Sequence, residues 1–192
     1  LQADVLLLQE IYLLGNIADD DYHIDGFESK ILPNGKGKGI ALYFRPHCQF
    51  DGESYTGSSL QLAAVESNGA KIVNVYRSNE GSQTVLKEKV SQILTSDHHG
   101  VVMGDFNLCA LRQKNNPVTI NLENMGFNQK VTESTHIQGR IIDHCYVKEN
   151  EDFKMVDLQL HSPYYSDHDA ILIVLQTVPR RPSRLTKRIK RN

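Results

Sequence analysis

Hydrophobic residues in this chain come in short runs, six long at most, separated by polar turns. "DVLLLQE" (4–10) is a continuous apolar run closed by polar residues, which predicts a fully buried strand. "HIDGFESKIL" and "KGIALYFR" (38–45) flank "PNGKGKG", a hairpin signal, and "LQLAAVES" (60–67) and "AKIVNVY" (70–76) flank "NGA", a second. Over 83–95, "QTVLKEKVSQILT" places Val85, Leu86, Val90, Ile93 and Leu94 on one helical face. A second helix is predicted to start near Pro117, and "VVMGDFN" (101–107), "RIIDHCYV" (140–147), "MVDLQL" (155–160) and "DAILIVL" complete the strands. Strands outnumber helices, and hairpins alternate with helical crossovers. That pattern predicts two packed sheets with helices outside them, and disfavours a doubly wound parallel sheet.

A length of 192 residues fits one domain, expected over 1–178. With 40% hydrophobic and 23% charged residues the chain is neither a disordered nor a membrane sequence, and no run approaches the ~20 apolar residues of a spanning helix. The net charge of −2 conceals an asymmetry. The tail 179–192, "PRRPSRLTKRIKRN", carries seven of the 21 basic residues and no acid, so the body sets fourteen basic against 23 acidic side chains. Acidic bodies gather carboxylates around cations and basic tails touch nucleic acid or acidic membranes; a solvated, disordered end explains the tail equally well. Cys48, Cys109 and Cys145 form no CxxC pair, which argues against a zinc or disulfide framework and for a reducing, intracellular compartment. The chain opens on Leu1 inside a predicted strand, and is expected to be a fragment of a longer protein.

Five polar groupings sit at strand ends or in turns beside strands: Glu10; Tyr76 with Asn79; Asp105 with Asn107; Asp143; and Asp167 with His168. A convergent set of Glu, Asp and Asn oxygens suits a hard divalent cation such as Mg²⁺, which leaves coordination places for phosphate oxygens. A nearby His suits a phosphorane-like transition state or proton transfer near neutral pH. The inventory points to metal-assisted hydrolysis of a phosphate ester. Taken singly, Asp105 and Asn107 are also ordinary turn residues, Glu10 an ordinary solvated strand end, and Tyr76 an ordinary interfacial aromatic.

"LLQE", "VVMGDFN", "IIDH" and "SDHDAI", in this order between about residues 2 and 176, resemble the endonuclease/exonuclease/phosphatase superfamily. The resemblance implies an α/β, DNase I-like four-layer sandwich of two mixed β-sheets flanked by helices. The family's first strand, which carries a metal-binding Asn, would lie before Leu1. The resemblance further implies Glu10 as principal Mg²⁺ ligand, with Mn²⁺ as substitute, and Asp167 supporting the metal side. Asp105 would orient or deprotonate the attacking water, and Asn107 would bind the scissile phosphate. His168, held by Asp143, would contact that phosphate. Tyr76 matches a phosphate-binding Tyr, and Asn79 follows at matching spacing. Arg77 and Ser78 depart from the family pattern, which makes Arg77 an added candidate for phosphate contact.

Among superfamily members, "THIQGRIIDHCYV" followed by "YYSDHDAILIVL" looks most like endonuclease domains of mobile elements, including non-LTR retrotransposons and Helitron-like elements. That likeness implies DNA as substrate, a nuclear location, and a helicase or reverse transcriptase domain in the same parent polypeptide, with no membrane partner and no obligate oligomer. A superfamily phosphatase and an inactive nucleic-acid-binding remnant are the rival expectations. "SDHHG" (96–100) repeats the SDH triplet but is expected in a helix-to-strand loop, far from Asp105. "NGKGKG" lacks the phosphate-loop pattern; Lys36 and Lys38 are candidates for brushing a nucleic-acid backbone. His144 is expected to point away from Asp143, Phe106 inward, and His23, His47, His136 and His161 onto the surface.

Overall fold

The computed structural model describes residues 3–13, 22–35, 37–113 and 115–178. Lys36 and the basic tail 179–192 lie outside the described residues. The order is β1 (Val5–Tyr12), β2 (Glu28–Pro33), β3 (Lys38–Phe44), β4 (Gln49–Thr56), β5 (Leu60–Ser67), β6 (Ala70–Arg77), α1 (Gln83–Ile93), β7 (Gly100–Asp105), α2 (Pro117–Asn124), β8 (Asn128–Gln129), β9 (Asp143–Lys148), β10 (Phe153–His161) and β11 (Ala170–Thr177).

A six-stranded sheet of order β4-β5-β6-β7-β9-β8 forms the centre. Its β5–β6 hairpin turns at Asn68 and Gly69, both at positive φ, as a two-residue hairpin requires. The β6–β7 pair is parallel, and α1 supplies the crossover that a parallel pair needs. Ser82 caps α1 by accepting the Val85 N–H, and Asn116 caps α2 by accepting the Val118 and Thr119 N–H groups ahead of Pro117. Leu86, Val90, Val118 and Leu122 of the helices then bury against Leu62, Val73, Val75, Val102 and Tyr146 of the sheet. Inward-turned Phe106 joins this core, fully buried and stacked on His144 with ring centroids 4.7 Å apart.

The opposite face of the central sheet carries two antiparallel pieces, β1-β3-β2 and β10-β11. The first packs Ile40 and Leu42 on Ala63, Val65 and Ile72; the second packs Leu158, Leu160, Ile171 and Ile173 near Val101, Cys145 and Val147. Among the described residues neither β1 nor β11 has a strand partner on its second side, and the two edges flank one cleft of about 1570 Å³ lined also by Ile72 and Met103. This corrects the reading of "DVLLLQE" as fully buried. Val5 and Leu7 reach the core, but β1 is an edge, and Leu8 is 39% exposed in the cleft. Cys48, Cys109 and Cys145 are free and buried, and no described helix is long and apolar enough to cross a membrane.

Candidate active site

The site begins with strand register. Tyr76 of β6 pairs with Asp105 of β7, and Asp105 pairs with Asp143 of β9. Side chains directly opposite one another share a sheet face, so a phenol and two carboxylates line up across three strand tips. Gly104 makes the approach possible. It sits at φ +138°, and a Cβ there would stand 2.0 Å from the Val75 carbonyl oxygen. Only glycine serves at the last position before Asp105.

Beyond Asp105 the chain turns at Asn107, which adopts a left-handed φ of +49°. Asparagine tolerates that conformation better than most residues. Asn107 donates its backbone N–H to Asp105 Oδ1 at 2.8 Å and its Nδ2 to Asp105 Oδ2 at 2.9 Å. Its second side-chain N–H goes to the Arg77 carbonyl at 2.8 Å. This changes the role expected of Asn107: its amide N–H groups orient Asp105 and close the turn, so they do not stand free for a phosphate. The expected phosphate contact of Arg77 is corrected likewise. Arg77 is 4% exposed and its guanidinium donates to the carbonyls of Phe106 (2.7 Å), Asn107 (2.8 Å), Asn79 and Gly81. Arg77 fastens the two loops behind the site and does not line the cleft.

Burial, then the neighbouring charge of Asp143, pushes the Asp105 carboxyl up to about 7. His168 Nδ1 donates to the Asp143 carboxylate at 2.9 and 3.1 Å. That hydrogen bond outweighs the effect of burial and raises the imidazole to about 9, so His168 is a cation at neutral pH. The loop carrying it is tied down: Asp169 N–H donates to the Thr135 carbonyl, Ile137 N–H to the Asp167 carbonyl, and His136 bridges to His168. His136 is therefore not a surface residue. It is 8% exposed, meets the His168 ring edge-on at 4.9 Å, and places Nε2 3.4 Å from Asp167 Oδ2.

Glu10 enters from β1 across the cleft. A register shift between Leu8 and Ile11, with Glu10 at φ +49°, turns its side chain to meet the Tyr76 hydroxyl. Lys38 Nζ holds the other carboxylate oxygen at 2.7 Å. Burial pushes the Glu10 carboxyl up, but hydrogen bonds from Lys38 and Tyr76 outweigh it and hold it below its ordinary value. Tyr76 moves upward through burial and its bond to Glu10, and stays a phenol that donates. Lys38 is thereby engaged with Glu10 instead of standing free for a nucleic-acid backbone.

Glu10, Asp105, Asp143 and Asp167 thus border one cleft, opposed by the cations Lys38 and His168. Asp105 and Asp143 are 6% and 7% exposed. Ligating atoms of Asp105, Asp143 and His168 lie within 4.8 Å of one another, as do those of His136, Asp167 and His168. Two buried carboxylates in contact, with an oxygen-rich rim, fit a hard divalent cation, which relieves their mutual repulsion. Glu10, the expected principal ligand, belongs to neither group of three; it lines the same cleft and meets the row of acids through the Tyr76 hydroxyl. Asn79 is exposed at the cleft mouth. "SDHHG" lies before β7, at the end remote from Asp105, as expected. Sequence reasoning missed His136, and it read Lys38 as a backbone-contacting lysine, not as the partner of Glu10. The only available signals were Thr135-His136 preceding "IIDH" and a lysine opening β3 opposite Tyr12.

The chain matches the model of the Endonuclease/Exonuclease/phosphatase family over residues 1–168. Comparison with curated proteins finds no match. Among solved structures, the endonuclease domain of TRAS1, a telomere-specific non-LTR retrotransposon, superposes with a TM-score of 0.70 at 13% identity, covering 93% of this chain and 88% of that one. The 3′-5′ exonuclease NExo from Neisseria meningitidis gives 0.67 at 18% identity, with 90% and 89% covered. A mannosyl-6-phosphatase from Bacteroides thetaiotaomicron gives 0.60 at 14%, with 90% and 85% covered. These likenesses establish the DNase I-like α/β sandwich. With the family match spanning both the Glu10 strand and the His168 loop, this chain belongs to the Endonuclease/Exonuclease/phosphatase family, a family of nucleases and phosphatases.

Proposed function

We propose that this chain is a Mg²⁺-dependent DNA endonuclease domain of a mobile-element protein, with Mn²⁺ as substitute. In this reading it nicks nuclear DNA from a parent polypeptide that also carries a helicase or reverse transcriptase domain. The observation that carries the reading is the in-register row Tyr76, Asp105, Asp143 with His168 hydrogen-bonded to its last member. The likeness to the TRAS1 endonuclease domain supports DNA as substrate.

In this reading the phosphodiester enters the cleft with a non-bridging oxygen toward Nε2 of the His168 cation, whose charge Asp143 maintains. Asp105, held by Asn107 on both oxygens, orients a water and takes its proton as the oxygen attacks phosphorus. The bond from phosphorus to the departing oxygen breaks, and that oxygen takes a proton from solvent. Tyr76 fixes Glu10, and Glu10 with Asp105 and Asp143 would hold the divalent cation, Asp167 standing beside them. When bound, the cation supplies charge neutralisation at the phosphate.

Nicking of supercoiled plasmid tests the reading, with Mg²⁺, with EDTA, and with Asp105→Ala. Nicking that needs Mg²⁺ and disappears in the variant is expected. Folded protein that leaves plasmid intact but releases phosphate from a phosphomonoester would replace the nuclease by a phosphatase.

A further inference from the structure

Three large side chains stand in solvent beside the His168 loop: Tyr164 at 101% exposure, Tyr165 at 81% and Ile137 at 79%. Their loops are joined, since Ile137 N–H donates to the Asp167 carbonyl. The two phenol rings meet edge-to-face, with centroids 5.6 Å apart and planes at 83°. Tyr165 lines the cleft, as does Arg140, while Tyr164 stands outside it.

Exposed aromatic rings clustered at the mouth of a site are unfavourable in water and mark a contact surface. Tyr165 precedes His168 by three residues, at most about 10 Å of extended chain. A ring that close to the phosphate-binding imidazole reaches the base of a nucleotide beside the reacting phosphate. It does not reach a distant groove. Perpendicular rings cannot both stack on one base, so the arrangement divides the work: Tyr165 offers its face, and Tyr164 buttresses it from outside. Nearby Arg140, with its guanidinium held by the Gln138 side chain, adds positive charge to the same rim. Aromatic faces joined to cationic groups are the chemistry that recognises unpaired nucleobases.

We infer that Tyr165, braced by Tyr164, is a stacking platform for an unpaired or unstacked base next to the scissile phosphate. The inference rests on the nuclease reading and deepens it: the substrate is DNA whose bases are locally accessible, such as single strands, flaps or distorted duplex.

The test compares a short single-stranded oligodeoxynucleotide with a base-free tetrahydrofuran oligomer of equal length. Binding is read by fluorescence anisotropy in EDTA, and cleavage is read separately with Mg²⁺. The wild type is expected to bind the base-bearing strand more tightly. Tyr165→Ala is expected to weaken that binding about tenfold, within the range of a lost base–aromatic stack, and to leave the base-free oligomer unchanged. Tyr164→Ala has a smaller effect in the same direction, and Tyr165→Phe restores wild-type affinity. Equal affinity of the wild type for both oligomers, or equal losses on both in Tyr165→Ala, would overturn the platform. Base-dependent binding without cleavage keeps the platform and removes the nuclease; cleavage with no base dependence does the reverse.

Discussion

Arg77 and Asn107 hold each other by the backbone. Nη2 of Arg77 donates to the Asn107 carbonyl at 2.8 Å, and Nδ2 of Asn107 donates to the Arg77 carbonyl at 2.8 Å. The same Asn107 amide holds Asp105, so a buried guanidinium at the end of β6 sets the direction of a carboxylate at the end of β7. Replacing Arg77 by Met leaves several buried carbonyls without donors. At ~1–3 kcal/mol for each unsatisfied group, partly recovered by water, a loss of about 3 kcal/mol is expected. For a domain of this size that lowers Tm by roughly 6–12 °C, measurable by circular dichroism. A change under 2 °C would show that the clasp is dispensable.

The His168–Asp143 pair predicts a pH-dependent stability. The folded pKa of His168 lies above the ordinary 6.5, at about 9. The stabilisation is therefore fully present below pH 6.5 and lost as pH rises through about 9. Wild type should exceed His168→Gln in denaturation midpoint by more at pH 6 than at pH 10. An imidazole titrating near 6.5 by NMR would contradict this.

His136 lines the cleft beside His168 and Asp167 and touches both. His136→Ala is expected to lower kcat about tenfold with little change in KM, as loss of a supporting partner commonly does. His136→Gln, which keeps a donor for Asp167, should recover part of the rate. A loss confined to KM would place His136 in substrate binding instead.

Lys38 competes with a cation for Glu10, since its ammonium sits 2.7 Å from Oε2. Both side chains are substantially exposed, so the effect is modest: Lys38→Ala should lower the half-saturating Mg²⁺ concentration about 2–5-fold, the range of an exposed pair. Titration of plasmid nicking against Mg²⁺ reads this. An unchanged or higher requirement would remove Lys38 from the metal side.

The elements most legible in the chain are those with local chemistry. The Asn68-Gly69 turn, the Asn116-Pro117 cap and the helical face of α1 each follow from neighbouring residues. β4 went unread because "QFDGESYT" is largely polar and bends at Gly52, and β8 is only two residues long. The site divides in the same way. Asp105, Asp143 and His168 sit at strand ends or beside them, and their convergence follows from sheet order. Arg77, by contrast, read as a candidate phosphate contact; only the tertiary position of four carbonyls makes it an internal fastener. His136 escaped because its partner lies 31 residues away on a loop with no periodicity.

The alignment of Tyr76, Asp105 and Asp143 on one rung gives the domain an uneven tolerance to length changes. Residues added to the β5–β6 turn or between β9 and β10 lengthen loops remote from that rung. One residue inserted within β7 rotates everything after it to the other sheet face. Gly104 would then stand opposite Tyr76 and Asp143, and Asp105 would point into the core where Phe106 now packs, so a single inserted codon would empty the rung of its central carboxylate.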